Sequence, residues 1–207
     1  GKLVRNTILA TSLAVMVAPS GAGKSSLLRT LIVPALRELG ALPVYVDAWS
    51  GPPLVSIQAA LVASLGADAS DLSSAARLAA AAHAQGLVLV LDQFEQVFIR
   101  HAAELDALGA ALGSLLRGDN VRVVLSLREE YLASLEALRP HFLTIPQAVY
   151  RLGPLAGKQA EEAIREPARL PEFHGEVEAT LVEALLLDLR GDAVASGLTT
   201  DASQAAS

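Results

Sequence analysis

The 207-residue chain has no cysteine, so disulfide scaffolds and thiolate metal sites are excluded, and the chain suits a reducing compartment. Aromatic residues make up only 4% of it, and the core must therefore be built from Leu, Val and Ala. Lysine is scarce: Lys2, Lys24 and Lys158 are the only three, beside thirteen arginines. Positive charge is also in deficit. The net charge of -6 supplies no basic field for non-specific nucleic-acid binding. No apolar run reaches the ~20 residues needed to span a bilayer. What is abundant is hydrophobicity, at 52% of the residues. A chain of this length can bury roughly 70% of its unfolded surface, which is enough for a substantial core.

That hydrophobicity is distributed in short runs. Leu13–Ala18, Pro43–Asp47, Leu87–Asp92, Val121–Leu127 and Ala148–Leu152 are Val- and Leu-rich and mostly non-alternating. Strands of a parallel sheet covered on both faces read this way. Helical patterns lie between them at Lys24–Leu39, Leu54–Leu65, Asp71–Gln85, His101–Arg117 and Glu129–Leu138. The alternation predicts an α/β fold. Pro34 is expected to break or kink the first helix near Ile32. Gly40, Gly66, Gly86 and Gly118 stand where helices should end. After Leu152 only helical patterns follow, at Gly157–Arg169 and Glu176–Leu189, and the last 17 residues are small, polar and aperiodic. The expected organisation is a core over 1–155, a helical extension over 156–190 and a disordered tail over 191–207.

The stretch LAVMVAPSGAGKSSLLRT permits two readings. A basic start followed by an apolar run suggests a secretory signal. Cleavage after Ala18 would strip the domain of its first strand, and that reading fails. The other reading is a phosphate loop, G-x-x-x-x-G-K-[ST], after a strand and before a helix. Seven of the eight residues Ala18–Ser25 conform, with Ala18 in place of the first glycine. Glycine at positions 21 and 23 allows a tight turn whose N–H groups can face phosphate oxygens. The expected nucleotide contacts are Pro19, Ser20, Gly21, Ala22, Gly23, Lys24, Ser25 and Ser26. Lys24 would meet the β- and γ-phosphates, and the Ser25 hydroxyl would meet Mg²⁺. An Ala18 forced into the left-handed region would lose about 1–2 kcal/mol, too little to abolish binding. In β geometry it would lose nothing.

LVLVLDQFEQVF ends a strand on Asp92, the arrangement that sets a carboxylate beside Mg²⁺. Asp92 could equally cap the following helix. Glu95, one helical turn on, is the candidate general base, with Gln93 a rival for positioning water and a structural ion pair the plain alternative. In VRVVLSLREEYL a strand ends at Ser126–Leu127 and Arg128 follows it. Arg128 is the candidate γ-phosphate sensor, or else a partner of Glu129 or Glu130.

Together with YRLGPL and EEAIREPA, these stretches resemble the STAND class of P-loop NTPases. The particular resemblance is to the novel STAND NTPase 1 family of bacterial signalling and conflict-system proteins, with an AAA+-related core. It implies a three-layer P-loop sandwich with a parallel five-stranded sheet ordered 5-1-4-3-2, followed by a short helical extension. It further implies ATP and Mg²⁺ as ligands, weak hydrolysis and a role as a signalling or assembly switch within a larger multidomain protein. Lys24, Ser25, Asp92 and Arg128 fall on the family's motif positions, as does Glu95. Protein partners, a nucleotide-dependent homo-oligomer formed through flanking domains and a bacterial cytoplasmic location follow by the same resemblance. The family's aromatic-Gly-Arg-Glu box and its winged-helix part have no counterpart here, so the chain reads as a core cut from a longer protein or as a degenerate remnant. The alternatives are a non-catalytic nucleotide-binding scaffold and an AAA+-type DNA-associated ATPase.

Overall fold

The computed structural model describes residues 8–66, 71–142, 148–153 and 180. Five parallel strands form one sheet: β1 (Leu13–Ala18), β2 (Leu42–Val46), β3 (Leu87–Leu91), β4 (Val121–Arg128) and β5 (Ala148–Arg151). Their order is β2-β3-β4-β1-β5, the order the resemblance implied read from the other edge. β1, the run that could have been taken for a signal, lies between β4 and β5, and all six of its residues are buried.

The runs need no polar alternation because both faces of the sheet are covered. Odd-numbered residues of β1 (Leu13, Val15, Val17) join one core with Leu87, Leu89, Leu91, Val123 and Leu125. That face is packed by α3 (Pro53–Leu65), α4 (Leu72–Ala82), α5 (Glu95–Arg100) and α6 (Leu105–Leu116), through Ile57, Leu61, Ala76, Val97 and Leu112. Even-numbered Ala14 and Met16 join the other core with Val88, Val90 and Val124. It is closed by the helical run that follows the phosphate loop, through Leu28, Ile32, Val33 and Leu36.

That run differs from the expected single helix with a break. It consists of α1 (Lys24–Leu27), a π-helical stretch Leu28–Ile32 and α2 (Val33–Glu38). Pro34 sits in the first turn of α2, where a missing N–H matters least. The wider π turn before it takes up the clash a proline makes with the preceding turn. The segment Glu129–Leu138 is 3₁₀ rather than α-helical. Leu132, Leu135 and Leu138 recur every third residue and all pack on the core. A helix of three residues per turn stacks them on one side.

Gly40, Gly66 and Gly86 adopt the left-handed backbone expected of them, but after α6 it is Asn120 (φ 60), not Gly118, that does so. The chain divides into two compact units, Gly1–Leu152 and Gly153–Ser207. The expected helices Gly157–Arg169 and Glu176–Leu189 lie outside the described residues, Thr180 excepted, and so does the expected tail. Among the described residues no helix is long and apolar enough to cross a membrane.

Candidate functional site

The C-terminal ends of β1, β3 and β4 are neighbours in the sheet, and the segments leaving them build one cleft. It is lined by Ser20, Gly21, Ala22, Gly23, Lys24, Ser25, Ser26, Asp92, Gln93, Glu95 and Arg128, with a volume of about 360 Å³. Every catalytic and metal residue expected from sequence lines it, as do all the expected nucleotide contacts except Pro19. Two larger clefts, of about 600 and 710 Å³, lie elsewhere and contain none of these groups. Chemistry rather than size therefore selects the site.

The loop's shape follows from its glycines. Gly21 (φ 78) and Gly23 (φ 82) lie in the left-handed region that side chains avoid. Ala18 is the last residue of β1 and has no positive φ, so its methyl group causes no strain there. Lys24 Nζ donates to the carbonyls of Ala18 at 2.9 Å and Pro19 at 3.1 Å, folding across the loop that precedes it. Burial pushes its ammonium below the ordinary lysine value, while the Glu95 and Asp92 carboxylates push the other way.

Asp92 is fully buried and does not cap a helix, because α5 begins only at Glu95 and has no side-chain cap. Its Oδ2 accepts a hydrogen bond from the Tyr45 hydroxyl, and Oδ1 has no hydrogen-bond partner. An unpartnered buried carboxylate oxygen costs about 1–3 kcal/mol, more when charged. A metal-bound water or the metal itself would satisfy it, so the donor set fits Mg²⁺, with Ser25 and Asp92 as the oxygen-bearing groups. The Asp92 backbone is fixed on both sides. Its N–H donates to Val46 O at 2.8 Å, and Trp49 Nε1 donates to its carbonyl at 2.7 Å. Burial and the bond to Asp92 push the Tyr45 phenol up to about 12, so it remains a donor.

The turn after Asp92 is strained at Gln93, an exposed residue with φ 52. The strain is held in place by Phe94, which is fully buried and edge-on to both Trp49 and Phe98. The Phe94 N–H also donates to Ser126 O at 2.8 Å. Such over-determined strain is typical of functional turns.

Glu95 is buried and tied to Arg128 at both carboxylate oxygens. Arg128 Nε lies 3.3 Å from Oε1, and the Arg128 backbone N–H donates to Oε2 at 3.3 Å. Arg128 also lies 3.9 Å from Glu130, whereas Glu129 pairs with Arg151. The Arg128 side chain is 41% exposed and lines the cleft. Sequence reasoning missed Tyr45, Trp49 and Ser126. Ser126 has a buried, unpartnered Oγ one register step beyond the β3–β4 pair Leu91–Leu125. The parity of its strand was the available signal, since Ser126 shares the face of Val124.

The fold recurs in solved structures. The ORC2 protein of Aeropyrum pernix in its ADP form matches with TM-score 0.60 and 17% identity, covering 82% of this chain and 50% of that one. A Walker-type ATPase of Pyrococcus abyssi matches with TM-score 0.63 and 14% identity, covering 90% and 61%. Cdc6p from Pyrobaculum aerophilum matches with TM-score 0.54 and 17% identity, covering 86% and 48%. The chain thus spans about half to three-fifths of the length of these neighbours. At these identities the likeness is one of fold. No curated protein matches the chain. The chain matches the Novel STAND NTPase 1 family over residues 2–199, and it belongs to that family of P-loop NTPases.

Proposed function

We propose that the chain binds ATP with Mg²⁺, hydrolyses it slowly, and serves as the signalling or assembly switch of a larger multidomain protein. The observation that supports this most is the convergence of the glycine-shaped loop, Lys24, Ser25, buried Asp92 and Arg128 on one cleft. The N–H groups of the loop and the first turn of α1 take the phosphate oxygens. Lys24 leaves the Ala18 and Pro19 carbonyls for the β- and γ-phosphates. Ser25 and Asp92 would hold Mg²⁺, which when bound would supply positive charge against the charge developing on the phosphate oxygens.

In hydrolysis a water oxygen bonds to the γ-phosphorus, the bond to the β–γ bridging oxygen breaks, and the water proton passes to a base. Glu95 is that base and Gln93 orients the water. A γ-phosphate competes with Glu95 for the Arg128 guanidinium, so arrival of the triphosphate loosens the ion pair and frees the carboxylate. An arginine supplied in trans speeds related reactions by about 10³–10⁵, so the chain alone is slow. The same reading sets the protein in the bacterial cytoplasm, with output through protein partners and a nucleotide-dependent homo-oligomer.

A second reading, a binding scaffold without turnover, is favoured by the grip of Arg128 on both oxygens of Glu95. A DNA-associated ATPase draws on one further structural neighbour, a DNA replication initiation factor matched with TM-score 0.56 at 13% identity, but the net charge of -6 counts against it. Phosphate release separates the three. Glu95→Gln is expected to keep ATP binding and to lose at least tenfold in release rate. Equal release from both proteins would remove Glu95 from catalysis. No release from the wild type, with binding intact, would select the scaffold, and DNA-stimulated release would select the third reading.

A further inference from the structure

Tyr45 lies on β2, 47 residues before Asp92 in sequence. It is in register with Val90, and Asp92 follows Val90 by two residues on the same face of the sheet. That placement lets the phenol reach Oδ2. The ring is itself held: the Arg29 guanidinium lies 4.9 Å over its centroid, and Arg29 pairs with Asp47, just past the end of β2. Arg29 stands four residues after Ser25 on the run that leaves the phosphate loop, so the two share a side of it. A chain of contacts therefore links that run to Asp92 through Arg29 and Tyr45, with Asp47 holding Arg29 from beyond the end of β2.

We propose that Tyr45 is a positioning residue for Asp92, its hydroxyl holding Oδ2 so that Oδ1 alone is presented to Mg²⁺ and its waters. Arg29, stacked on the ring, keeps the phenol in place and couples the Ser25 side of the site to the Asp92 side. This rests on the assignment of Asp92 to the metal. A carboxylate anchored at one oxygen cannot rotate to chelate or turn away, so a second partner defines the coordination it can offer. Tyr45→Phe keeps the ring, its packing and its stacking with Arg29, and removes only this bond.

The test is the metal requirement of nucleotide binding in wild type, Tyr45→Phe and Arg29→Met. ATP is titrated into each protein in EDTA and then at stepped Mg²⁺, and Mn²⁺ binding is followed by electron paramagnetic resonance. Emission from Trp49, the only tryptophan, whose indole N–H donates to the Asp92 carbonyl, reports the local fold. Tyr45→Phe is expected to bind metal-free ATP as the wild type does and to need roughly ten- to a hundredfold more Mg²⁺ or Mn²⁺ for half-saturation. Arg29→Met is expected to shift it in the same direction by less. A Tyr45→Phe protein with unchanged emission and an unchanged metal requirement overturns the proposal. Equal losses with and without metal also overturn it, because they mark a merely structural residue. If the wild type binds ATP in neither condition, the nucleotide reading fails first and the proposal falls with it.

Discussion

Two backbone conformations at single residues make the phosphate loop possible. Gly21 and Gly23 both have φ near +80°, where a Cβ is penalised by about 1–2 kcal/mol. Ala18, which replaces a glycine of the motif, lies in strand geometry and meets no such penalty. The two positions therefore predict opposite results. Gly23→Ala is expected to weaken ATP binding by roughly five- to thirtyfold, the free-energy equivalent of that strain, because the free variant loop relaxes from this conformation and the nucleotide must restore it. Ala18→Gly is expected to leave affinity where it is. Isothermal titration of both variants checks the pair, and a gain from Ala18→Gly would show that the alanine does distort the loop. Gln93 carries strain of the same kind without being glycine, held by Phe94 beneath it.

At the level of elements, the sheet aligns the ends of β1, β3 and β4, and short connections at the opposite end keep it closed. There Leu87 N–H donates to Asn120 O at 2.8 Å, and a Cβ on Gly86 would stand 2.0 Å from that same oxygen. Gly86 also has φ 70. Gly86→Ala must therefore displace the Asn120 turn where β4 begins. A loss of about 1–3 kcal/mol is expected, read as a lower denaturation midpoint. Stability equal to wild type would mean that the turn moves freely. The strands and the phosphate loop were legible in the sequence because each is written in contiguous residues, five apolar runs and a motif of eight, whereas the strand order was implied only by the family resemblance. What escaped was written across elements. The Tyr45–Asp92 bond depends on the register of β2 against β3, and the Arg128–Glu95 pair on β4 lying beside β3. The local pattern of Glu129–Leu138 suits an α-helix, and only its three-residue leucine spacing against the core explains the 3₁₀ form.

The whole molecule joins an NTPase fold to a site whose charged groups hold one another in balance. Lys24 leans on backbone carbonyls, Glu95 and Arg128 neutralise each other, and one oxygen of Asp92 lacks a hydrogen-bond partner. A triphosphate with its metal would engage each of these groups, and that is the account's central claim. It is tested most directly by calorimetric titration of ATP with Mg²⁺ into the chain and into Lys24→Ala. The account predicts saturable binding by the wild type, at about 8 kcal/mol if micromolar, and loss of that binding in the variant. Equal affinity in the two proteins, or no heat from either, would contradict it.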